Sequence, residues 1–293
     1  MPTKLLQRYG AVLGLAVIGC GFQSAHAGIN ATMWGIYSNN IKFSPKKVEN
    51  AYLEIEYYGQ TGPIDWYGYF DAPKYFMGNE NINGVWDRGE ATSYLFMEHQ
   101  PKLSFNRLTG KDLSVGIFKD WFIAADWILD AGNDTLTRQH TLYYGVGTTI
   151  DTHTKLGMNV NLYARQQWEN YGAANAYQSN DGGRLQVQFF YPIYQFKNGA
   201  ALNYFTFSNY DFGSNLGDKT NQAGGNYLST RTNEAFVSTH IFSYNTKHFR
   251  AYAAGRYFHN GSQFKDGALN NWGNEFVQDS TGWGYYLGLG YQF

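Results

Sequence analysis

From Gly28 onward the chain alternates between apolar and polar positions. Between Tyr52 and Tyr58, Leu53, Ile55 and Tyr57 share one face while Tyr52, Glu54 and Glu56 share the other, the period of two that an extended strand imposes. From Met158 to Glu169, Met158, Val160, Leu162, Ala164 and Trp168 oppose Asn159, Asn161, Tyr163, Arg165, Gln167 and Glu169. Leu185, Val187, Phe189 and Tyr191 oppose Arg184, Gln186 and Gln188, and at the end Trp283, Tyr285, Leu287, Leu289, Tyr291 and Phe293 oppose Gly284, Tyr286, Gly288, Gly290 and Gln292. After Gly28 no stretch reaches the run of about 18 apolar residues that marks a transmembrane helix. Twelve segments read as strands: 32–43, 51–59, 64–71, 94–106, 117–130, 138–150, 156–169, 184–194, 200–211, 233–244, 248–259 and 281–293.

A soluble β-sandwich also alternates, so other features must decide. Trp168, Tyr191 and Trp283 stand at the ends of apolar faces, where girdles at two lipid interfaces lie in a membrane barrel. The last strand runs to Phe293, the ending that barrel-assembly machinery reads in bacterial outer membranes. Asn-, Gly- and Asp-rich connections at Gly78–Gly89, Gly213–Asn226 and Asn260–Asp279 alternate with short ones, matching long extracellular loops and short periplasmic turns. The expected fold class is therefore all-β, an antiparallel transmembrane β-barrel of about twelve strands, an even number as single-chain bacterial barrels have. Composition agrees. Charged residues are 15% of the chain against about 25% in soluble proteins, while 25 Tyr, 21 Phe and 8 Trp suit a lipid–water interface. Lys plus Arg (22) nearly balances Asp plus Glu (23) without a basic tract, which excludes nucleic acid as a partner.

The first 27 residues read as a signal peptide. Lys4 and Arg8 form a positive n-region, Gly10 to Phe22 an apolar core, and Ala25-His26-Ala27 a small-x-small cleavage site. The expected mature domain is thus 28–293, a multi-pass barrel of the bacterial outer membrane. Val17-Ile18-Gly19-Cys20 also resembles a lipoprotein cleavage box. Cys20 is the chain's one cysteine, so no disulfide framework is possible.

Twelve strands imply a lumen between the filled interior of eight and the wide pore of sixteen, so inward residues touch whatever passes. By parity these are Phe43, Tyr67, Tyr163, Phe190, Phe207 and Phe258, with Glu54, Glu56, Asp71, Lys102, Arg165, Arg184, Asn209 and Arg256. Facing Arg and carboxylate walls routinely fill a barrel with satisfied charges. Inward rings gain nothing from water but do gain from a flat, hydrogen-bonding solute. Hydrolase, phosphate-loop and calcium-loop motifs are absent. Gly145-Val146-Gly147 and Gly288-Leu289-Gly290 lack the third glycine of a dinucleotide fingerprint and read as strand glycines that permit close packing. No catalytic residue, metal or cofactor is expected. His99 falls on the lipid face and reads as an interfacial histidine. Two other classes stay open: a barrel enzyme acting on lipids, requiring an outward Ser–His–polar triad, and an adhesin or phage receptor acting through its loops.

Several segments carry a family resemblance: YFDAP (69–73), FKDWF (118–122), WENYGAAN (168–175), SNLGD (214–218), TRTNEA (230–235) and STGWGYYLGLGYQF (280–293). In order and coverage they resemble the nucleoside-specific channel-forming outer-membrane proteins, the Tsx family. The resemblance implies a monomeric barrel with weak nucleoside sites in its lumen, lodged among outer-membrane lipids, with a surface that phages and colicins use in some members. A family aromatic that follows a basic residue in the first strand and contributes to nucleoside binding maps onto Phe43. Here Lys42 stands where the family pattern has Arg, and Ser44 where it has Gly.

Overall fold

The computed structural model describes residues 28–73, 75–76, 87–88, 91–133, 137–172, 179–214, 230–270 and 276–293. The expected leader at 1–27, Cys20, and most of the loops Gly78–Gly89 and Gly213–Asn226 lie outside the described residues. The barrel strands are β1 (Gly28–Ile41), β2 (Val48–Thr61), β3 (Ile64–Ala72), β4 (Ala91–His99, resumed at Lys102–Ser104), β5 (Phe118–Gly132) and β6 (Arg138–Asp151). They continue as β7 (Gly157–Asn170), β8 (Ser179–Gln195), β9 (Ala201–Phe212), β10 (Ala235–Asn245), β11 (Phe249–His259) and β12 (Gly282–Gln292). Each pairs antiparallel with its sequence neighbours, and β1 closes on β12 from Thr32↔Gln292 to Asn39↔Tyr285. The result is a closed antiparallel barrel of 12 strands. Closure leaves no unpaired edge, the condition for a sheet to stand in lipid.

Alternation sorts the faces as the sequence indicates. Leu162, Val146, Phe242, Leu287 and Leu289 point outward and are exposed, forming the apolar surface that lipid covers. Inward rings pack in two clusters on opposing walls. One joins Trp34, Ile36, Tyr52, Phe258 and Tyr286 across β1, β2, β11 and β12; the other joins Phe122, Ile128, Tyr143 and Tyr163 across β5, β6 and β7. Room for these rings comes from glycine. A Cβ on Gly288 would overlap the Tyr252 ring, one on Gly290 the Trp34 ring, and one on Gly147 the Phe122 ring. The paired glycines of β6 and β12 thus serve packing.

Three local departures correct the alternation. β1 ends at Ile41, not Phe43, because a bulge between Ser38 and Ile41, with Asn40 at φ 57°, reverses the parity. Trp34 and Ser38 face the lumen before it, Ile41 and Phe43 after it. The pairing of β6 with β7 slips at His140/Thr141, so Trp168 stacks on His140 and Glu169 pairs with Arg138, while Asn170 turns inward in its place. The fourth strand breaks at Gln100-Pro101 and ends at Ser104 rather than 106. Ser104 caps a short helix, α1 (Phe105–Thr109), by accepting from the Arg107 N–H at 3.2 Å, and Gly110 closes it at φ 67°.

Asn161 also differs from a simple lumen position. It is fully buried and donates to Gln186 Oε1 at 2.7 Å inside the wall. Asn159, two residues toward the short-turn end, lines the open bore. We expect Leu162→Arg to destabilise the barrel by about 2–4 kcal/mol, as a cation placed against lipid, and Asn159→Arg to cost far less. Equilibrium refolding into vesicles measures both, and equal losses would refute the assignment of faces.

Candidate functional site

The barrel encloses a cavity of about 760 Å³, within the range of small-molecule sites. Phe43, Glu54, Glu56, Tyr67, Asp71, Lys102, Arg165, Arg184, Phe190, Phe207, Asn209 and Arg256 all line it. Tyr163 and Phe258 turn inward without reaching the open bore. Phe258 is fully buried edge-on beneath Phe43, with ring centroids 4.9 Å apart, and Tyr163 is buried against the Tyr143 ring and Gln186.

Arg256 stands at the centre of the first wall. Its guanidinium lies 5.1 Å from the Phe43 ring, 5.5 Å from Phe207 and 4.7 Å from Tyr286, within cation–π range. It is aimed by hydrogen bonds to Thr239 Oγ1 at 2.7 Å and the Tyr286 hydroxyl at 3.0 Å. Glu54 and Asp71 are direct cross-strand partners on the facing β2–β3 surface. Glu56 accepts from the Trp34 indole at 3.0 Å, and Glu98 accepts from Tyr69 and Gln100. Asp71 Oδ1 and Asn209 Oδ1 accept no hydrogen bond from the described residues. Carboxylates, amide and rings thus converge with acceptor capacity to spare.

Other charges are held by the protein itself. Arg184 donates to Asp126 at 2.6 Å and bidentately to Asp211 at 2.7 and 3.1 Å, with its plane 3.7 Å from the Tyr143 ring. Lys102 donates to Gln188 at 2.8 Å near the short-turn end. Arg165 donates to the Asp181 carbonyl at 2.7 Å, to Gln263 at 2.8 Å and to Ser214, with the Asp181 carboxylate 3.7 Å away. Arg231, in the loop before β10, stacks 4.2 Å from Phe264. Burial, then the neighbouring Arg165 charge, bring it down to about 9.

Tyr286, Trp34, Tyr252, Glu98 and Asp211 also line the lumen but were not among the sequence candidates. Tyr286 carried a signal, since it opposes the outward Tyr285 and Leu287. Trp34 sits before the β1 bulge, where its parity is opposite to that of Phe43.

On the outer face His99 bonds the Tyr57 hydroxyl at 2.8 Å among Phe70 and Trp127. A Ser–His–Tyr contact does occur outside, at Ser238, His240 and Tyr204, with 3.1 and 2.7 Å separations. Ser238 is buried, however, and lies between two ladder partners, where backbone N–H groups are committed and none is free for an oxyanion.

The family model described as "Nucleoside-specific channel-forming protein, Tsx" matches residues 32–293. The chain belongs to the Tsx family. It is similar to the nucleoside-specific channel-forming protein Tsx of Salmonella typhimurium LT2, 44% identical over 258 residues that cover 87% of this chain and 85% of the relative. The Tsx of Escherichia coli O157:H7 is 43% identical over 257 residues, covering 87% and 85%. A more distant relative, outer membrane protein OmpK of Vibrio parahaemolyticus, is 29% identical over 179 residues, covering 58% and 59%. This Tsx-family chain is an outer-membrane barrel with its longer loops facing outward from the cell. The Lys42 side chain is buried and paired with Asp279, tying the end of β1 to the last loop. Ser44 is likewise buried, accepting from the Lys46 N–H at 3.3 Å.

Because Arg184 compensates two carboxylates at once, Arg184→Ala is expected to destabilise this barrel by about 3–5 kcal/mol, the scale for orphaning buried charge. Double substitution with Asp126→Asn and Asp211→Asn should recover most of the loss in the same vesicle refolding assay; no recovery would show that Arg184 acts only through packing.

Proposed function

We propose that this chain conducts nucleosides passively across the outer membrane through weak sites in the lumen. The observation that carries the reading is the set of Phe43, Phe207 and Tyr286 rings around Arg256, with Asn209 beside Phe207 on β9 and Glu54 and Asp71 on the β2–β3 surface. A base stacked on Phe43 or Phe207 gains about 1–3 kcal/mol, enough for preference and too little to trap the solute, as conduction requires. Ribose hydroxyls donate to Glu54, Asp71 or Asn209. Glu56, Tyr67, Lys102 and Phe190 extend the same polar and aromatic track along the bore. We assign Arg165 and Arg184 to the wall rather than to the solute, since their donors are committed to the protein, and Tyr163 and Phe258 to backing the lining rings. Lipid contacts follow from the apolar outer face.

Phe43→Ala should lower nucleoside flux into liposomes at low concentration and leave glycerol and glucose flux unchanged or faster. A common factor for adenosine, glucose and glycerol would mean the ring merely obstructs, and would refute binding. Charge gives a second check. Cations here are neutralised in pairs, as with Arg184, or ringed by aromatics, as with Arg256, so no one-sign ladder of the kind that anion pores use is present among the described residues. Adenosine should therefore block ion current better than its monophosphate, and the preference should survive high salt. Stronger block by the monophosphate, abolished by salt, would make the channel an anion pore instead.

A further inference from the structure

The last extracellular loop does not stay outside. Between β11 and β12 the chain turns inward at Asn260–Phe264, a strap in which three non-glycine residues, Asn260, Ser262 and Gln263, take left-handed φ values of 53°, 50° and 62°. Such backbone persists only where surroundings hold it, and here they do. The Gly261 N–H donates to Ser280 O at 2.9 Å, and the Thr232 N–H donates to Gln263 O at 3.0 Å. Arg231 donates to Ser262 O at 3.2 Å. Gly261 lies so close to the Lys42 carbonyl that a Cβ would overlap it. The strap carries Ser262 and Gln263 onto the lining of the cavity.

The Gln263 side chain shows what this does to the bore. Its Oε1 accepts from Arg165 at 2.8 Å and its Nε2 donates to Ser214 at 2.6 Å, all three being buried. Arg165 belongs to β7, four strands from β11 and five from β12 by the shorter way round. In a ring of twelve, diametric opposition is six, so strap and guanidinium together reach across a third of the ring. Arg231 adds a second tie from the loop before β10 to Asn170 at the end of β7, at 3.2 Å. Among the described residues, the sector from β7 to β12 is thereby roofed.

We propose that the strap Asn260–Phe264, latched to Arg165 through Gln263, is a size-selecting bar across the extracellular mouth. It rests on the reading that solutes cross through this lumen, and makes Gln263 a specificity-determining residue that need not touch the nucleoside. Gln263→Gly tests it, because glycine accepts the left-handed backbone while the latch is lost. In liposome swelling the rate for a trisaccharide relative to adenosine should rise about fivefold or more, as pore diameter sets the cut-off, with preference for adenosine over glucose kept. An unchanged trisaccharide ratio in a folded barrel overturns the proposal. Should that variant not fold, Ser262→Cys treated with a bulky thiol reagent should cut flux of every solute, the unaltered chain serving as control; full flux after complete labelling overturns it equally. Absence of any nucleoside preference in the unaltered chain would instead refute the function proposed above, while the trisaccharide ratio would still report on the strap.

Discussion

Backbone hydrogen bonding in lipid is the constraint from which the rest of this structure follows. Hydrocarbon offers no partner to a peptide group, so a sheet that spans it must close on itself, and here β1 closes on β12. Closure fixes the pleat, and the pleat sends successive side chains to lipid and lumen in turn. Every functional position is then a matter of parity. Bulges are the only inexpensive way to change parity within a closed ladder, and the two that matter lie toward the extracellular ends of β1 and β7, where they aim Phe43 and Asn170 into the bore.

Inside, the same low-dielectric setting that demands paired amides demands paired charges. Arg184 shows the solution in which one planar donor serves two carboxylates from different strands, Asp126 on β5 and Asp211 on β9. Arg256 shows another, with aromatic faces and two hydroxyls in place of a close carboxylate. The difference matters for transport. A fork closed by two anions has nothing left to offer a solute, whereas a guanidinium among rings leaves Asp71 and Asn209 nearby with acceptor capacity, and a neutral, flat, hydroxyl-bearing molecule suits that gap better than an ion.

The strands were legible in the sequence because lipid on one side and water on the other write a period of two into them. Leu162 and Arg165, Leu185 and Arg184, Leu287 and Tyr286 could each be assigned to a face without coordinates. Phe43 faces inward as expected, yet through a bulge at Asn40 that composition does not announce, since asparagine is ordinary in strands' ends and turns alike. Asn161 and Tyr163 have the parity of lumen residues but the depth of core residues, and parity carries no information on depth. Least legible was the strap. Ser262 and Gln263 sit in a polar, glycine-containing stretch typical of exposed loops, and only contacts with Lys42, Thr232 and Arg165, distant in the chain, turn it inward.

Strand number alone does not explain the narrowness of the bore. A twelve-stranded barrel encloses space that short side chains would leave open, and here Trp34, Tyr52, Tyr252, Phe258 and Tyr286 fill one side of it. They fit because glycines on the adjoining strand withhold their own side chains: Gly288 under Tyr252, Gly290 under Trp34, Gly284 beside Phe258. Ring and glycine are therefore a single device. Restoring a side chain at such a glycine would not merely crowd the wall but displace the ring that presents Phe43 and Arg256 at their present depth. The selectivity of the channel thus depends on residues that have no side chain to offer a solute, a dependence that follows from the pleat and that inspection of the lumen lining alone would miss.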